Sequence, residues 1–224
     1  IFVANAGINV RGELPEVTAK EMELLLGTDF IGTIHGLNRA ADAMKKQHSG
    51  NMVIITSVNA LSPLANQALY SAIKSAMESV MRSLAVTMAE YGVRVNSCAP
   101  GCIHSALNQH IFSQEQFRRE KERGIPLGRI GNPEDIGDVV ACMVSDAYRF
   151  MTGSTILVDG GELLHPKTAF RVPFLHNLFQ NGAATLSGVV EAFHQRQKRG
   201  EYPDGEITFV MVSGDGGMDI GMGS

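Results

Sequence analysis

The stretch NMVIITS at residues 51–57 is a short apolar run that ends in two hydroxyl residues. A run of this length and composition predicts a buried β-strand. Residues 68–90 follow with apolar positions at helical spacing up to Gly92, and VRVNSC at 93–98 then predicts a second strand. A strand, a helix and a strand in this order are typical of parallel strands joined by a crossover helix.

The same alternation continues in both directions along the chain. Further strands are predicted at 1–4, 155–158 and 206–213. Thr18 and Glu21 have the spacing of a capping box, which predicts a helix that continues to about residue 47, and Asn132-Pro133 predicts a second helix start. We therefore expect an α/β fold with a Rossmann-like parallel sheet and flanking helices, truncated at its N-terminus, followed by a short α/β fragment.

Composition and charge exclude several classes of protein. The chain has 224 residues, 44% hydrophobic and 19% charged, which is typical of a globular protein. A formal charge of -4 gives no reason to expect a nucleic acid or an anionic membrane as partner. Three cysteines without a CxxC pair argue against a disulfide framework or a zinc site. These features, and the absence of a long apolar run, favour a cytoplasmic protein outside the membrane.

The candidate chemistry lies where the predicted strands end, which is where open α/β sheets bind ligands. Ser57 ends one strand, and Tyr70 and Lys74 follow four residues apart, on one face of the next helix. This spacing alone is weak, because a surface helix pair and a strand-end serine bonded to backbone would look the same. The Asn5-Ala6-Gly7 triplet after the first strand and the turn at Asn96–Gly101 make a functional site the better interpretation.

Six motifs in order make residues 1–164 resemble the short-chain dehydrogenase/reductase family, from its fourth strand to its C-terminal strand. They are NAG at 5–7, ITS at 55–57, YSAIK at 70–74, RVNSCAPGCIHS at 94–105, PLGRIGNPEDIGDVV at 126–140 and MTGSTILVDGG at 151–161. The resemblance implies an NAD(P)-dependent oxidoreductase that interconverts a carbonyl and an alcohol by hydride transfer. A small carbonyl or alcohol substrate and a homo-oligomer of the complete protein are implied with it.

The resemblance also implies catalytic roles. Tyr70 would be the acid/base, with Ser57 bonded to the same substrate oxygen, and Lys74 would lower the tyrosine pKa and hold the nicotinamide ribose. Asp29 stands where relatives usually have a helix-kinking asparagine whose backbone carbonyl positions a water on the lysine. A carboxylate there would offset part of the charge of Lys74, so both a catalytic role and a purely structural one stay open for Asp29.

Cofactor contacts are implied at two further places. Asn5, Ala6 and Gly7 would line the cofactor cleft after the first strand. The loop after the third predicted strand would hold the nicotinamide carboxamide, through Pro100, Gly101, Ile103 and Ser105. A Gly-rich phosphate turn and the residue that chooses between NAD and NADP are not found in the chain, so we expect the sequence to lack its cofactor-binding front half and, as given, to be inactive.

A different resemblance begins after Leu164. VPFLHNLFQNGAATLSG at 172–188 and GDGG at 214–217 make residues 165–224 similar to part of the β subunit of pyruvate or 2-oxoacid:ferredoxin oxidoreductases. In that family Gly214, Asp215 and Gly216 would belong to a thiamine diphosphate site, with Asp215 as a ligand of magnesium. The tail is expected to form a helix near 182–199 and a strand near 206–213.

Three interpretations of function follow from these resemblances. The first is a short-chain oxidoreductase, residues 1–164, joined to a partial thiamine diphosphate-binding segment, residues 165–224. The second takes the tail as the true identity, a fragment of a thiamine-dependent 2-oxoacid oxidoreductase. The third is a non-catalytic module on a reductase fold, which the joint presence of Ser57, Tyr70 and Lys74 disfavours.

Overall fold

A computed structural model describes residues 1–164, 190–191 and 193–199 of the chain. The chain divides into two compact units, Ile1–His165 and Pro166–Ser224. The first unit contains the sheet and the predicted site. In the second unit the described residues 190–191 and 193–198 are helical, within the predicted range 182–199, whereas the strand predicted at 206–213 lies outside the described residues.

The first unit is built on a parallel sheet, as predicted. Four strands lie in the order β1-β2-β3-β4, and each pairs in parallel with the next. They are β1 Phe2–Ala4, β2 Gly50–Ile55, β3 Val93–Pro100 and β4 Thr155–Val158. Because all of them are parallel, their carboxyl ends lie at one edge of the sheet, and the loops that follow β1, β2 and β3 meet there.

Helices connect the strands on both faces of the sheet. The α-helices are α1 Ala19–Leu25, α2 Thr33–Gln47, α3 Ala68–Ala89, α4 Gln109–Phe112, α5 Glu115–Arg123 and α6 Pro133–Val144. Side chains alternate along β2, so that Met52 and Ile54 pack towards α2 and α3, while Val53 packs towards α6. Two cores therefore sandwich the sheet, which is the Rossmann-like arrangement expected from the sequence.

The helix predicted from residue 18 to 47 is interrupted. The capping box at its start is present: the Thr18 hydroxyl accepts from the Glu21 amide at 3.3 Å, and the Glu21 carboxylate accepts from the Thr18 amide at 2.9 Å. Between α1 and α2, however, residues Leu26–Gly32 form a π-helical segment. The wider π turn contains Asp29, whose buried side chain bonds outside the helix.

Two strand boundaries also differ from the prediction. The strand predicted at 51–57 ends at Ile55, and Ser57 lies beyond it as the cap of a short 3₁₀ turn, Val58–Ala60. The strand predicted at 93–98 continues to Pro100, because β4 pairs with its last residues. Pairing partners from distant parts of the chain, which a local pattern does not contain, set both ends.

The methionines of α3 are part of the core. Met77, Met81 and Met88 are buried on the side of the helix that faces the sheet, with Leu84 packed against the same cluster. These side chains therefore stabilise the packing of α3 on the sheet. Val86, which is 78% exposed, lies on another face of the helix.

One buried carboxylate ties α3 to three successive strand segments. The Glu78 side chain accepts hydrogen bonds from the hydroxyls of Thr56 at 2.6 Å, Ser97 at 2.9 Å and Thr155 at 2.5 Å. The Arg82 guanidinium lies 3.7 Å away, one helical turn further on. Glu78 is therefore satisfied in the core, four residues after Lys74 on the same helix.

The described part of the chain contains no helix that is long and apolar enough to cross a membrane.

Candidate active site

Three of the predicted catalytic residues converge at the carboxyl edge of the sheet. Ser57 follows β2, and Tyr70 and Lys74 lie one turn apart on α3. The side chains of Ser57 and Tyr70 line one cavity, and Ser57 is close enough to the Tyr70 hydroxyl to lower its pKa. The Ser57 hydroxyl also accepts from the Asn59 amide at 3.1 Å, so the 3₁₀ turn fixes its position.

Lys74 lies between Tyr70 and the strands. Its Nζ atom is 5.5 Å from the centroid of the Tyr70 ring and donates to the carbonyl of Ile55 at 3.4 Å. It also lies 3.2 Å from Oδ2 of Asp29. The ammonium group is therefore held near the tyrosine by the end of β2 on one side and a carboxylate on the other.

Asp29 is a buried charge with a defined set of contacts. Its Oδ1 atom accepts the Ile8 amide at 2.7 Å, which joins the π-helical segment to the loop after β1. Its Oδ2 atom lies within ion-pair distance of Lys74, but no donor in the described residues is aligned for a hydrogen bond to it. We regard the contact as an ion pair that leaves one lone-pair direction of Oδ2 open.

The pKa of Tyr70 is raised in the structure, whereas the sequence led us to expect a lower one. Burial raises it to about 12, the hydrogen bond from Ser57 lowers it, the negative charge of Asp29 raises it, and the positive charge of Arg11 lowers it. The net shift is upward and Lys74 is not among its causes, whereas the sequence led us to expect that Lys74 lowers this pKa. Burial removes water from the phenolate, and the Asp29 carboxylate beside Lys74 balances the lysine charge.

The predicted cofactor residues after β1 border the same place. Asn5 and Ala6 are exposed, directly beyond the end of the strand. Gly7 packs over the ion pair: a Cβ atom there would lie 3.0 Å from Oδ2 of Asp29 and 3.5 Å from Nζ of Lys74. The missing side chain thus keeps space open above both charged groups.

The predicted residues after β3 divide between two cavities. Pro100 is the last residue of β3, and Gly101 lines the cavity of Ser57 and Tyr70. Gly101 passes so close to Asp159 that a Cβ atom would lie 2.6 Å from the aspartate Cβ. Ile103 pairs with Gly131 and lines a neighbouring cavity, while the carbonyl of Ser105 accepts a turn bond from Asn108.

The cavity beside Tyr70 has further walls that the sequence did not single out. It measures about 570 Å³, part of it open to solvent. Besides Ser57 and Tyr70 its lining includes Asn9, Arg11, Asn59, Gln67, Asn108, Phe112, Phe117, Lys121 and Glu162. Asn9 and Arg11 directly follow the Asn-Ala-Gly triplet, and Glu162 follows the last strand. Their position at strand ends was the signal that could have identified them.

Gly214, Asp215 and Gly216, predicted to bind thiamine diphosphate and magnesium, lie outside the described residues. Among the residues that the structure describes, no group of three or more His, Cys, Asp and Glu side chains is placed to hold a metal ion. The thiamine resemblance of residues 165–224 stays a prediction.

Comparisons with known proteins assign the chain to a family. Residues 1–162 match the family described as enoyl-(acyl carrier protein) reductase. The chain is 33% identical to 3beta-hydroxysteroid dehydrogenase 1 of Eggerthella lenta, a match that covers 76% of this chain and 66% of that protein. It is 35% identical to L-rhamnose-1-dehydrogenase of Scheffersomyces stipitis, over 72% of this chain and 63% of that protein.

Solved structures agree with this result. The structure of ElxO with NADP bound superimposes with a TM-score of 0.68 at 29% identity, over 72% of this chain and 66% of that one. A short-chain type dehydrogenase/reductase from Mycobacterium ulcerans gives 0.69 at 30% identity, over 73% and 60%. The chain thus spans 63–66% of the length of the two curated relatives above. With the family match over residues 1–162 and the agreement of the folds, the chain belongs to the short-chain dehydrogenase/reductase family.

Proposed function

We propose that this chain carries the catalytic residues of an NAD(P)-dependent oxidoreductase that interconverts a carbonyl and an alcohol. The observation that carries the proposal is the grouping of Ser57, Tyr70 and Lys74: two hydroxyl side chains line one cavity, and the ammonium group of Lys74 lies 5.5 Å from the centroid of the tyrosine ring. The dehydrogenase and reductase names of the relatives support the same reaction class.

In this mechanism Tyr70 exchanges a proton with the substrate oxygen. With a pKa of about 12 the hydroxyl is protonated at neutral pH, so it is ready to donate to a carbonyl oxygen during reduction. We expect Ser57 to bind the same oxygen, because its side chain lines the same cavity as that of Tyr70. In alcohol oxidation the proton moves the other way, and the high pKa predicts that this direction is favoured at alkaline pH.

The residues present fit a nicotinamide cofactor. Gly7 leaves space above the Asp29–Lys74 pair, Oδ2 of Asp29 has an open lone-pair direction, and Asn5 and Ala6 are exposed at the end of β1. When bound, NAD or NADP supplies or accepts the hydride. We propose that Lys74 binds its ribose and that the loop with Pro100, Gly101, Ile103 and Ser105 binds its carboxamide end.

The test is a comparison of two tyrosine variants in the protein expressed from its natural coding sequence, with any codons upstream of Ile1 included. Tyr70→Phe removes the proton donor, and we expect turnover of small ketones and aldehydes to fall by about 10²-fold or more. Tyr91→Phe is the matched control, since Tyr91 contacts His48 and Lys45 outside the cavity. Oxidation of NADH and NADPH is followed by absorbance. Near-normal turnover in Tyr70→Phe would overturn the assignment.

A further inference from the structure

Arg11 brings a positive charge into the cavity that the proposed reaction does not use. It lines the same cavity as Ser57 and Tyr70, and one of its guanidinium nitrogens donates to the side-chain oxygen of Asn108 at 3.4 Å. Among the described residues no carboxylate lies within ion-pair distance of Arg11. A guanidinium group has five N–H donors, so one bond to Asn108 leaves most of them for a ligand.

The other cation of this cavity is already balanced. Nζ of Lys121 lies 3.3 Å from Oε1 of Glu162, and the Glu162 side chain is buried. The second oxygen of Glu162 accepts the Cys102 amide at 3.0 Å, which ties the pair to the loop after β3. Lys121 and Glu162 together contribute no net charge, so among the described residues that line the cavity Arg11 carries the excess positive charge.

The side-chain amides of Asn59, Gln67 and Asn9 form a hydrogen-bonded chain in the same cavity. The amide nitrogen of Asn59 donates to Gln67 at 2.6 Å, and the amide nitrogen of Gln67 donates to the side-chain oxygen of Asn9 at 3.2 Å. The oxygens of Gln67 and Asn9 are thereby occupied, while no acceptor among the described residues bonds to the side-chain nitrogen of Asn9, which lines the cavity. Asn9 and Arg11 thus offer N–H donors on one wall.

Other residues give part of the cavity an apolar surface. Phe112 and Phe117 contribute aromatic side chains, and Val58 and Leu64 contribute aliphatic ones. A ligand that fits has a carbonyl or alcohol for Ser57 and Tyr70, a short carbon chain, and an anionic acceptor group for Arg11 and Asn9. A carboxylate matches a guanidinium in charge and geometry.

We propose that this cavity takes oxo acids, and the corresponding hydroxy acids, with the Arg11 guanidinium bound to the substrate carboxylate. The proposal rests on the proposed function, because it places the reacting oxygen on Ser57 and Tyr70. The charge of Arg11 also lowers the pKa of Tyr70, as a guanidinium close to the phenol should. A bound carboxylate would neutralise this charge, so Arg11 acts in specificity rather than in proton transfer.

The test compares acids with their methyl esters, which lack the negative charge and carry one more methyl group, in the protein expressed from its natural coding sequence. Acetoacetate, 4-oxopentanoate and 5-oxohexanoate are each compared with their methyl esters as substrates for reduction. Since Arg11 is exposed, the contact is partly screened by water, and we expect kcat/KM to favour the best acid over its ester by about tenfold. The chain length that gives the largest preference measures the spacing from Tyr70 to Arg11.

The variant Arg11→Gln separates the charge from a general effect on the cavity. We expect it to raise KM for the acid by about tenfold and to change the use of the ester much less, and we expect Arg11→Lys to restore part of the loss. Arg39→Gln, on the exposed face of α2, is the matched control. Equal use of acids and esters, or an equal loss for both in Arg11→Gln, would overturn the proposal.

A binding experiment keeps this proposal distinct from the proposed reaction. Binding of 4-oxopentanoate and its methyl ester is titrated by ligand-observed NMR, without turnover. Tighter binding of the acid that is lost in Arg11→Gln supports the carboxylate site even if no carbonyl is reduced, in which case the proposed function alone fails. Reduction of neutral carbonyls by a Tyr70-dependent enzyme that neither binds nor reduces the acids would reject the carboxylate site and keep the proposed function.

Discussion

Replacing Asp29 with asparagine removes one charge from the buried pair that Asp29 forms with Lys74. The shape of the side chain is kept, and its oxygen can still accept the Ile8 amide that now bonds to Oδ1 at 2.7 Å. Asp29→Asn therefore tests the carboxylate charge by itself. Asp29→Ala removes the charge and the hydrogen-bond acceptor together.

The expected loss of stability follows from the contact distance. At 3.2 Å the attraction between the two charges is about 5 kcal/mol with an effective dielectric constant of about 20. The net loss of stability is smaller than this attraction, because an uncharged amide does not carry the desolvation penalty of a buried carboxylate. We expect a loss of about 2 kcal/mol in the free energy of unfolding for Asp29→Asn, and about 3–5 kcal/mol for Asp29→Ala.

Asp29→Asn should also change the pH dependence of the reaction. The negative charge of Asp29 raises the pKa of Tyr70, so its removal lowers this pKa from about 12. Alcohol oxidation needs the deprotonated tyrosine as base. The acid limb of the pH profile of kcat/KM for oxidation should therefore move to lower pH in Asp29→Asn, with higher activity near neutrality.

Both quantities are directly measurable. Because the chain contains no tryptophan, unfolding in urea is followed by circular dichroism, and oxidation is followed by formation of NADH or NADPH. Asp42→Asn, exposed on α2, is the control for loss of one negative charge. Unchanged stability together with an unchanged pH profile would refute the reasoning. A large loss of activity without a shift of the profile would instead show that the carboxylate takes part in the reaction.

Two further predictions concern buried groups. Glu78→Ala leaves the hydroxyls of three strand segments without their acceptor. We expect it to lower the free energy of unfolding, measured in urea, by about 3 kcal/mol or more. The control Glu23→Ala, on the surface of α1, should change this free energy by less than about 0.5 kcal/mol. Equal stability of the two variants would contradict the assigned network. Burial raises the pKa of the Cys98 thiol to about 11. At mildly alkaline pH a thiol reagent should therefore label the exposed Cys142 and leave Cys98 unmodified until the protein unfolds. Labelling is followed by mass spectrometry, and early labelling of Cys98 would contradict this burial.

Much of the fold could be predicted because it depends on local patterns. The alternation of apolar strands and amphipathic helices identified the parallel sheet, and the spacing of Thr18 and Glu21 identified a helix start that the structure contains. The π-helical segment Leu26–Gly32 does not follow from the local pattern, since Asp29 bonds to Ile8, far away in sequence; only the family resemblance indicated a helix kink at Asp29. Strand ends at Ile55 and Pro100 depended in the same way on distant partners.

Within the site, the sequence by itself determined which groups are available. Tyr70 and Lys74 share a helix face because they are four residues apart, and Ser57 joins them because it follows a parallel strand. Only the tertiary structure decided the electrostatics. Burial and the charge of Asp29 raise the pKa of Tyr70 where the sequence suggested a lower one, and within the described residues Glu162 pairs with Lys121 while no carboxylate lies within ion-pair distance of Arg11. Solvent exclusion and charge pairing depend on distances in space, which a linear pattern of residues does not specify.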